Sequence, residues 1–177
     1  MKNDNANIEK AAAIIRKKAG KNAPKIALTL GSGLGAVADL MTDDVTIPYT
    51  ELPGFPQPTV AGHEGTLRVG VVGGVPAIFM KGRKHLYEGV AAGIEANKTM
   101  IRTMKAAGVE TLFITNAAGG LHPDLGPGTL MAITDHINLT GASPLAGPND
   151  DEWGTRFPSM INAWDKDLRD QLMGAAK

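Results

Sequence analysis

The sequence predicts an α/β fold in which a mixed, twisted β-sheet is flanked by helices. Helical patterns alternate along the chain with short apolar runs, and two β-rich runs are separated only by a pair of glycines. The length of 177 residues suits one domain with a sizeable core. We therefore expect residues 1–177 to form a single α/β domain.

The N-terminal part of the chain predicts a helix, a strand and a second, shorter helix. Apolar residues recur at helical spacing from Ile8 to Ala19, and Gly20 follows as a C-terminal stop. The apolar run from Lys25 to Leu30 predicts a buried strand. Behind a glycine-rich turn, Leu34 to Met41 predicts a short helix.

The middle of the chain predicts a hairpin, a long helix and another strand. The runs Thr66 to Val72 and Val75 to Lys81 are joined by Gly73 and Gly74, which suit the positive φ angles of a two-residue hairpin turn. Ala91 to Ala107 has apolar residues at helical spacing. The run Thr111 to Thr115 then predicts a buried strand.

The C-terminal part predicts fewer elements. Leu130 to Ile133 predicts one more strand, and Asp165 to Lys177 has the pattern of a helix. This last helical pattern has no further strand after it to pack against. We therefore expect the domain to be incomplete at its C-terminal end.

Composition excludes several classes of function. Eighteen basic and 18 acidic residues cancel, so no overall field favours nucleic acid or an anionic membrane. The chain has no cysteine, its first residues are too polar for a secretion signal, and no apolar stretch approaches a membrane span. We expect a cytoplasmic protein that acts on a small molecule.

A glycine loop follows the first predicted strand and suggests an anion site. The backbone N–H groups of Gly31, Ser32 and Gly33, with the positive end of the following helix, can converge on an oxyanion. Ser32 adds a hydroxyl donor, and without a G-x-S-x-G elbow it is expected to bind rather than attack. A tight turn that needs glycine for its φ angles is the alternative interpretation.

The same loop admits a dinucleotide-binding hypothesis. Gly31, Gly33 and Ala36 fit G-x-G-x-x-[GA], and Glu51 follows at the distance of a ribose-binding acid. Two features disfavour this hypothesis: the following helix is short, and Pro48 interrupts the strand that would present the acid.

A second candidate cluster follows the hairpin. The guanidinium of Arg83 can bind two phosphate oxygens, and His85 can donate to a third or carry positive charge. Glu88 lies three residues further on and could hold the imidazole. A solvated turn with a surface ion pair is the alternative.

Two further segments bear candidate residues. His63 lies in a loop with glycines on both sides, and Asn116 and Ala117 follow the predicted strand Thr111 to Thr115, where ligands gather in α/β sheets. The four histidines form no metal-ligand spacing, so we expect no metal.

Eight segments with distinctive spacing follow one another along the chain. They are Gly31-Ser32-Gly33-Leu34-Gly35, Leu52-Pro53-Gly54-Phe55-Pro56, Gly62-His63-x-Gly65, Gly82-Arg83-x-His85-x-Tyr87-Glu88-Gly89, Thr115-Asn116-Ala117-Ala118-Gly119-Gly120-Leu121, Asp135-His136-Ile137-Asn138-Leu139, Gly147-Pro148-Asn149-Asp150 and Arg156-Phe157-Pro158-x-Met160. In this order they resemble the trimeric, low-molecular-mass purine nucleoside phosphorylases, from about Ala27 to Arg169. The chain matches the N-terminal two-thirds of that family.

The resemblance implies reversible phosphorolysis of purine nucleosides, with inorganic phosphate as a substrate, no cofactor, and a homotrimer as the full-length form. It assigns roles to these residues: catalysis to His85 and Glu88; phosphate binding to Ser32, His63, Arg83, His85 and Ala117; nucleoside binding to Tyr87, Asn116, Ala117 and Phe157, the last from a neighbouring subunit.

Departures from the family leave alternatives open. His122 stands where the family usually has asparagine and Thr129 where it has an acid. The family's final third, which supplies the groups that recognise the purine, has no counterpart here. A methylthioadenosine phosphorylase is one alternative, although Ser32 argues against it, and a catalytically inactive phosphate- or nucleoside-binding fragment is another. We expect little activity from the 177-residue chain alone.

Overall fold

The computed structural model describes residues 2–57 and 65–176, and it confirms the α/β fold with a mixed sheet. The helices are α1 (Lys2–Ala19), α2 (Val90–Ala107) and α3 (Lys166–Ala175), and the strands are β1 (Ile26–Leu30), β2 (Thr42–Pro48), β3 (Thr66–Val72), β4 (Val75–Lys81) and β5 (Thr111–Ile114). Short 3₁₀ helices cover Gly35–Leu40, Tyr49–Glu51 and Leu86–Glu88.

The chain divides into two compact units. The first spans residues 1–118 and holds the sheet with α1 and α2, and the second spans residues 119–177 and holds α3. The expectation of a single domain over residues 1–177 stays a prediction. Within the described ranges, no helix has both the length and the apolar character needed to cross a membrane.

The five strands of the first unit lie in the order β2-β3-β4-β1-β5. β1 pairs in parallel with both β4 and β5, whereas β2, β3 and β4 pair antiparallel. Parallel strands share one carboxyl edge, so the segments that follow β1, β4 and β5 meet there. This edge brings the glycine loop, the arginine segment and the Asn116 segment together.

The strongest sequence patterns are confirmed. Gly73 and Gly74 have φ angles of 57° and 82°, and Val72 pairs with Val75 directly beside this turn. Helix α2 ends at Ala107, and the left-handed φ of 102° at the following Gly108 stops the helix without a side-chain clash. Asp165 begins α3 because its side chain accepts a hydrogen bond from the Leu168 N–H.

Three elements differ from the sequence predictions. The helix expected over Leu34 to Met41 is a six-residue 3₁₀ helix. The strand expected over Leu130 to Ile133 is wrong: Leu130 is exposed, and the run has no strand partner in the described ranges. The edge strand β2 was not predicted, because its exposed first residues, Asp43 among them, lack the apolar alternation that marks a strand.

The core lies on both faces of the sheet. Successive residues of β4 point to opposite faces, so Ile78 packs into one cluster and Phe79 into another. The larger cluster includes Ile15 of α1 and Met104 of α2. The smaller cluster includes Ala38, and burial of this alanine ties the segment after the glycine loop to the sheet.

Candidate anion site at the carboxyl edge of the sheet

The glycine loop is in direct contact with the end of β5. The Gly31 N–H donates to the Thr115 hydroxyl at 2.8 Å, and this hydroxyl donates to the carbonyl of Thr29 at 2.7 Å. A Cβ atom at Gly31 would lie only 2.8 Å from the Thr115 carbonyl oxygen and 2.9 Å from the Asn116 Cα. Glycine is therefore required at position 31 by the close approach of another backbone segment.

These contacts differ in two ways from the anion site that the sequence predicts at the glycine loop. The N–H of Gly31 is engaged with Thr115, so it is not directed at a ligand as the sequence suggested. The helix behind the loop is a 3₁₀ helix of six residues, and so short a segment aligns few peptide dipoles. The exposed Ser32 and Gly33 remain the part of the loop that faces outward.

The segment after β4 reaches the same edge. Nη1 of Arg83 donates to the backbone carbonyl of Thr115 at 3.2 Å, so the half-buried guanidinium lies beside the end of β5. The carboxylate of Glu88 accepts from the backbone N–H of His85 at 2.8 Å. This bond fixes the main chain that carries the imidazole.

Two rings stack beside the arginine. The centroids of the His85 imidazole and the Tyr87 phenol are 4.9 Å apart, and their planes differ by 9°. Tyr87 is 78% exposed, so the phenol presents a free face on the outer side of the pair. Such a face can contact a sugar or a base by stacking.

Tyr49 is a member of this region that the sequence did not reveal. Its buried hydroxyl donates to the carbonyl of Gly82 at 2.8 Å, and its backbone N–H donates to Gly65 at 2.7 Å. Burial raises the pKa of the phenol, so the hydroxyl stays a donor. Tyr49 thereby anchors the residue directly before Arg83. A lone tyrosine after Pro48 carries no periodic signal that predicts this contact.

The remaining candidates are distributed unevenly. Asn116 and Ala117 are exposed and directly follow Thr115 at the carboxyl edge. Phe157 lies in the second unit, exposed, with the Arg156 guanidinium 5.8 Å from its ring centroid. His63 lies outside the described residues. Within residues 2–57 and 65–176, no group of three or more acidic or histidine side chains could hold a metal ion.

The dinucleotide hypothesis fails on the position of its acid. Glu51 follows β2 at the far edge of the sheet, separated from β1 by β3 and β4. Its carboxylate lies 3.8 Å from the Lys18 ammonium. A ribose-binding acid would instead have to follow a strand next to β1, because the dinucleotide lies across the ends of adjacent strands.

Comparison with known proteins agrees with this arrangement of strands and loops. A sequence profile of the phosphorylase superfamily matches residues 25–177, and the chain belongs to this family. Within the family, it is 50% identical over 161 residues to purine nucleoside phosphorylase 1 of Bacillus subtilis. That alignment covers 91% of this chain and 58% of the Bacillus protein, and it confirms the resemblance found in the sequence.

Solved structures of purine nucleoside phosphorylases also match the fold of this chain. The purine nucleoside phosphorylase of Schistosoma mansoni in complex with acetate superposes with a TM-score of 0.84 at 43% identity, covering 93% of this chain and 61% of that one. A Schistosoma mansoni purine nucleoside phosphorylase in complex with inosine gives a TM-score of 0.83 at 42% identity, covering 93% of this chain and 58% of that one. The chain thus spans about three-fifths of the length of these relatives.

Proposed function

We propose that the protein is a purine nucleoside phosphorylase, which converts purine ribonucleosides or deoxyribonucleosides such as inosine and guanosine, with phosphate, into the free base and the sugar 1-phosphate. The observation that carries the proposal is the convergence of the glycine loop, Arg83 and the end of β5 at one edge of the sheet. The 50% identity to a purine nucleoside phosphorylase supports it. Phosphate is a substrate, and no cofactor is needed.

The phosphate would lie on the outer side of the contact between Arg83 and Thr115. Arg83 supplies a fixed positive charge, and Ser32 and the backbone N–H of Ala117 supply further donors. His85 holds another phosphate oxygen, and His63 is assigned to the same role. Glu88 is assigned to act through His85, because its carboxylate accepts a hydrogen bond from the backbone N–H of that residue.

The nucleoside would lie next to the phosphate. Tyr87 offers its exposed ring to the ribose, Asn116 and Ala117 line the site, and Phe157 of a neighbouring subunit closes the sugar pocket. The role of Phe157 requires an oligomer, and we include a homotrimer in the proposal. A cytoplasmic location is included as well.

The chemistry follows from placing the two substrates together. A phosphate oxygen forms a bond to the anomeric carbon as the bond to the purine nitrogen breaks, and the purine leaves with the electron pair and ends with the proton that the hydrogen phosphate gives up. The sugar develops oxocarbenium-like positive charge in the transition state, and the adjacent phosphate stabilises it. Holding both substrates in line also removes an entropic part of the barrier.

The test is phosphate-dependent release of hypoxanthine from inosine by the intact gene product, with Arg83→Ala compared against Lys84→Ala. Loss of a charge-assisted bond should raise the KM for phosphate about tenfold or more in Arg83→Ala and leave the KM for inosine within about twofold. Lys84→Ala is the matched control, because it removes a neighbouring cation, and it should resemble the wild type.

Several outcomes would overturn the proposal. Hypoxanthine release that does not depend on phosphate would exclude phosphorolysis. Strong preference for methylthioadenosine over inosine would assign the protein to the other phosphorylase. Phosphate binding without any turnover of inosine or guanosine would make it a binding protein.

A further inference from the structure

Thr115 joins the parts of the anion site to one another. Its hydroxyl accepts from the Gly31 N–H at 2.8 Å and donates its one proton to the Thr29 carbonyl at 2.7 Å. Its backbone carbonyl accepts from Arg83 at 3.2 Å. One residue therefore bonds to the glycine loop through its side chain and to the arginine through its main chain.

The contact occurs where regular strand pairing ends. The last paired residues of β1 and β5 are Thr29 and Ile114, and the Thr115 N–H adds one more bond to the Thr29 carbonyl at 3.2 Å. The Gly31 N–H lies just past this pairing and needs an acceptor. The Thr115 hydroxyl is that acceptor, in the place that a backbone carbonyl takes within a sheet.

The close approach of the two backbones leaves little freedom for this arrangement. No Cβ atom separates Gly31 from the Thr115 carbonyl, which is the same oxygen that Arg83 contacts. A shift of the glycine loop away from β5 would therefore separate it from the guanidinium as well. Ser32, which follows Gly31 directly, would move with the loop.

We propose that Thr115 is a positioning residue for phosphate: its hydroxyl sets the separation between the glycine loop that carries Ser32 and the guanidinium of Arg83. The inference rests on the proposed phosphate site. Thr115 does not touch the substrate in this account. It holds the loop that carries Ser32 and the guanidinium of Arg83 at a fixed separation, and both of these groups bind the phosphate in the proposed site.

The experiment compares Thr115→Val with Thr115→Ser in the intact gene product. Valine keeps the shape of threonine and removes the hydroxyl, whereas serine keeps the hydroxyl and removes the methyl group. We expect the Kd for inorganic phosphate, measured by calorimetry, to rise about tenfold in Thr115→Val and to stay within about twofold of wild type in Thr115→Ser. The KM for inosine should be unchanged in both.

A second measurement on the wild type does not depend on how the variants fold. The Gly31 amide proton should exchange slowly with solvent, as a bonded proton does, and rapid exchange would overturn the proposal. Equal phosphate affinity in wild type and Thr115→Val would also overturn it. So would a parallel loss of phosphate and inosine affinity, or failure of Thr115→Ser to retain affinity, because both indicate a merely structural role.

These results separate the inference from the proposed function. Wild type that binds phosphate without releasing hypoxanthine would overturn the phosphorylase proposal, while the difference between Thr115→Val and Thr115→Ser would still support the positioning role. If the wild type releases hypoxanthine and Thr115→Val binds phosphate as tightly as the wild type does, the phosphorylase proposal would be supported and the positioning role of Thr115 would be overturned. Wild type that binds no phosphate would overturn both.

Discussion

The imidazole of His85 and the phenol of Tyr87 are stacked, with 4.9 Å between their centroids and 9° between their planes. The proposed function gives these rings different substrates, phosphate for His85 and the sugar for Tyr87. Because the Tyr87 ring packs against the His85 imidazole, a substitution at Tyr87 should also change the affinity for phosphate. The proposed phosphate and sugar sites would therefore adjoin at this pair of stacked rings.

Replacement of Tyr87 by alanine should weaken phosphate use as well as nucleoside use. An aromatic pair contributes about 0.5–1.5 kcal/mol beyond its buried area, so loss of the stack should raise the KM for phosphate about twofold to tenfold. Steady-state kinetics with phosphate varied at saturating inosine measures this effect. Tyr87→Phe keeps the ring and should leave the KM for phosphate near the wild-type value. An unchanged phosphate KM in Tyr87→Ala would show that the stack does not orient His85.

Tyr49→Phe should destabilise the protein and change its stability at alkaline pH. The Tyr49 hydroxyl donates to the Gly82 carbonyl at 2.8 Å, and loss of such a bond costs about 1 kcal/mol of unfolding free energy at neutral pH. Burial raises the pKa of this phenol in the folded state, so the unfolded chain loses the proton first as the pH rises.

The sign of the alkaline effect follows from that order. The contribution of Tyr49 is complete below the ordinary tyrosine pKa of about 10 and declines as the pH rises from there toward the folded-state value. Urea denaturation at a series of pH values should therefore show the wild type losing its advantage over Tyr49→Phe above about pH 10. A constant difference between the two proteins across that range would contradict the buried, neutral phenol.

Thr103→Val should leave the protein as stable as the wild type or more so. Thr103 is fully buried in α2, and its hydroxyl has no hydrogen-bond partner within residues 2–57 and 65–176. Valine has nearly the same shape without the polar group, so the unfolding free energy should rise by up to about 1 kcal/mol.

Thr103→Ser provides the matched comparison. It keeps the unpaired hydroxyl and removes a buried methyl group, so it should lower the unfolding free energy by about 1 kcal/mol. Both values come from urea denaturation curves monitored by circular dichroism. A clear loss of stability in Thr103→Val would mean that the hydroxyl is bonded in solution.

The sequence correctly predicted those elements whose signal lies within one short segment of the chain. The glycine pair at residues 73–74 specifies a hairpin, and the spacing of apolar residues specifies α2, because each signal lies within one short segment. β2 lacked such a signal, since an edge strand with one buried residue, Ile47, shows no clear alternation. The apolar run at Leu130 was misleading because a strand also needs a partner.

The candidate site was predictable only in part. Arg83 and the glycine loop could be found from the sequence because their residue types suit an anion. The contacts of Thr115 and Tyr49 could not, since they depend on which strands are neighbours. Placing β1 between β4 and β5 brings Thr115 to Gly31, and pairing β3 with β4 places Gly65 and Gly82 within reach of Tyr49.

The two parallel pairings of β1 also determine at which stage of folding the candidate anion site forms. Gly31 and Thr115 are 84 residues apart along the chain, and Arg83 and Thr115 are 32 apart. Contacts of such long range form only when loops close during folding, so a partly folded chain has no complete site. Phosphate bound as proposed would bind the native state alone, and it would stabilise that state by an amount that grows with the logarithm of the phosphate concentration once this exceeds the Kd. The proposed substrate phosphate would thus also stabilise the folded sheet edge that receives it.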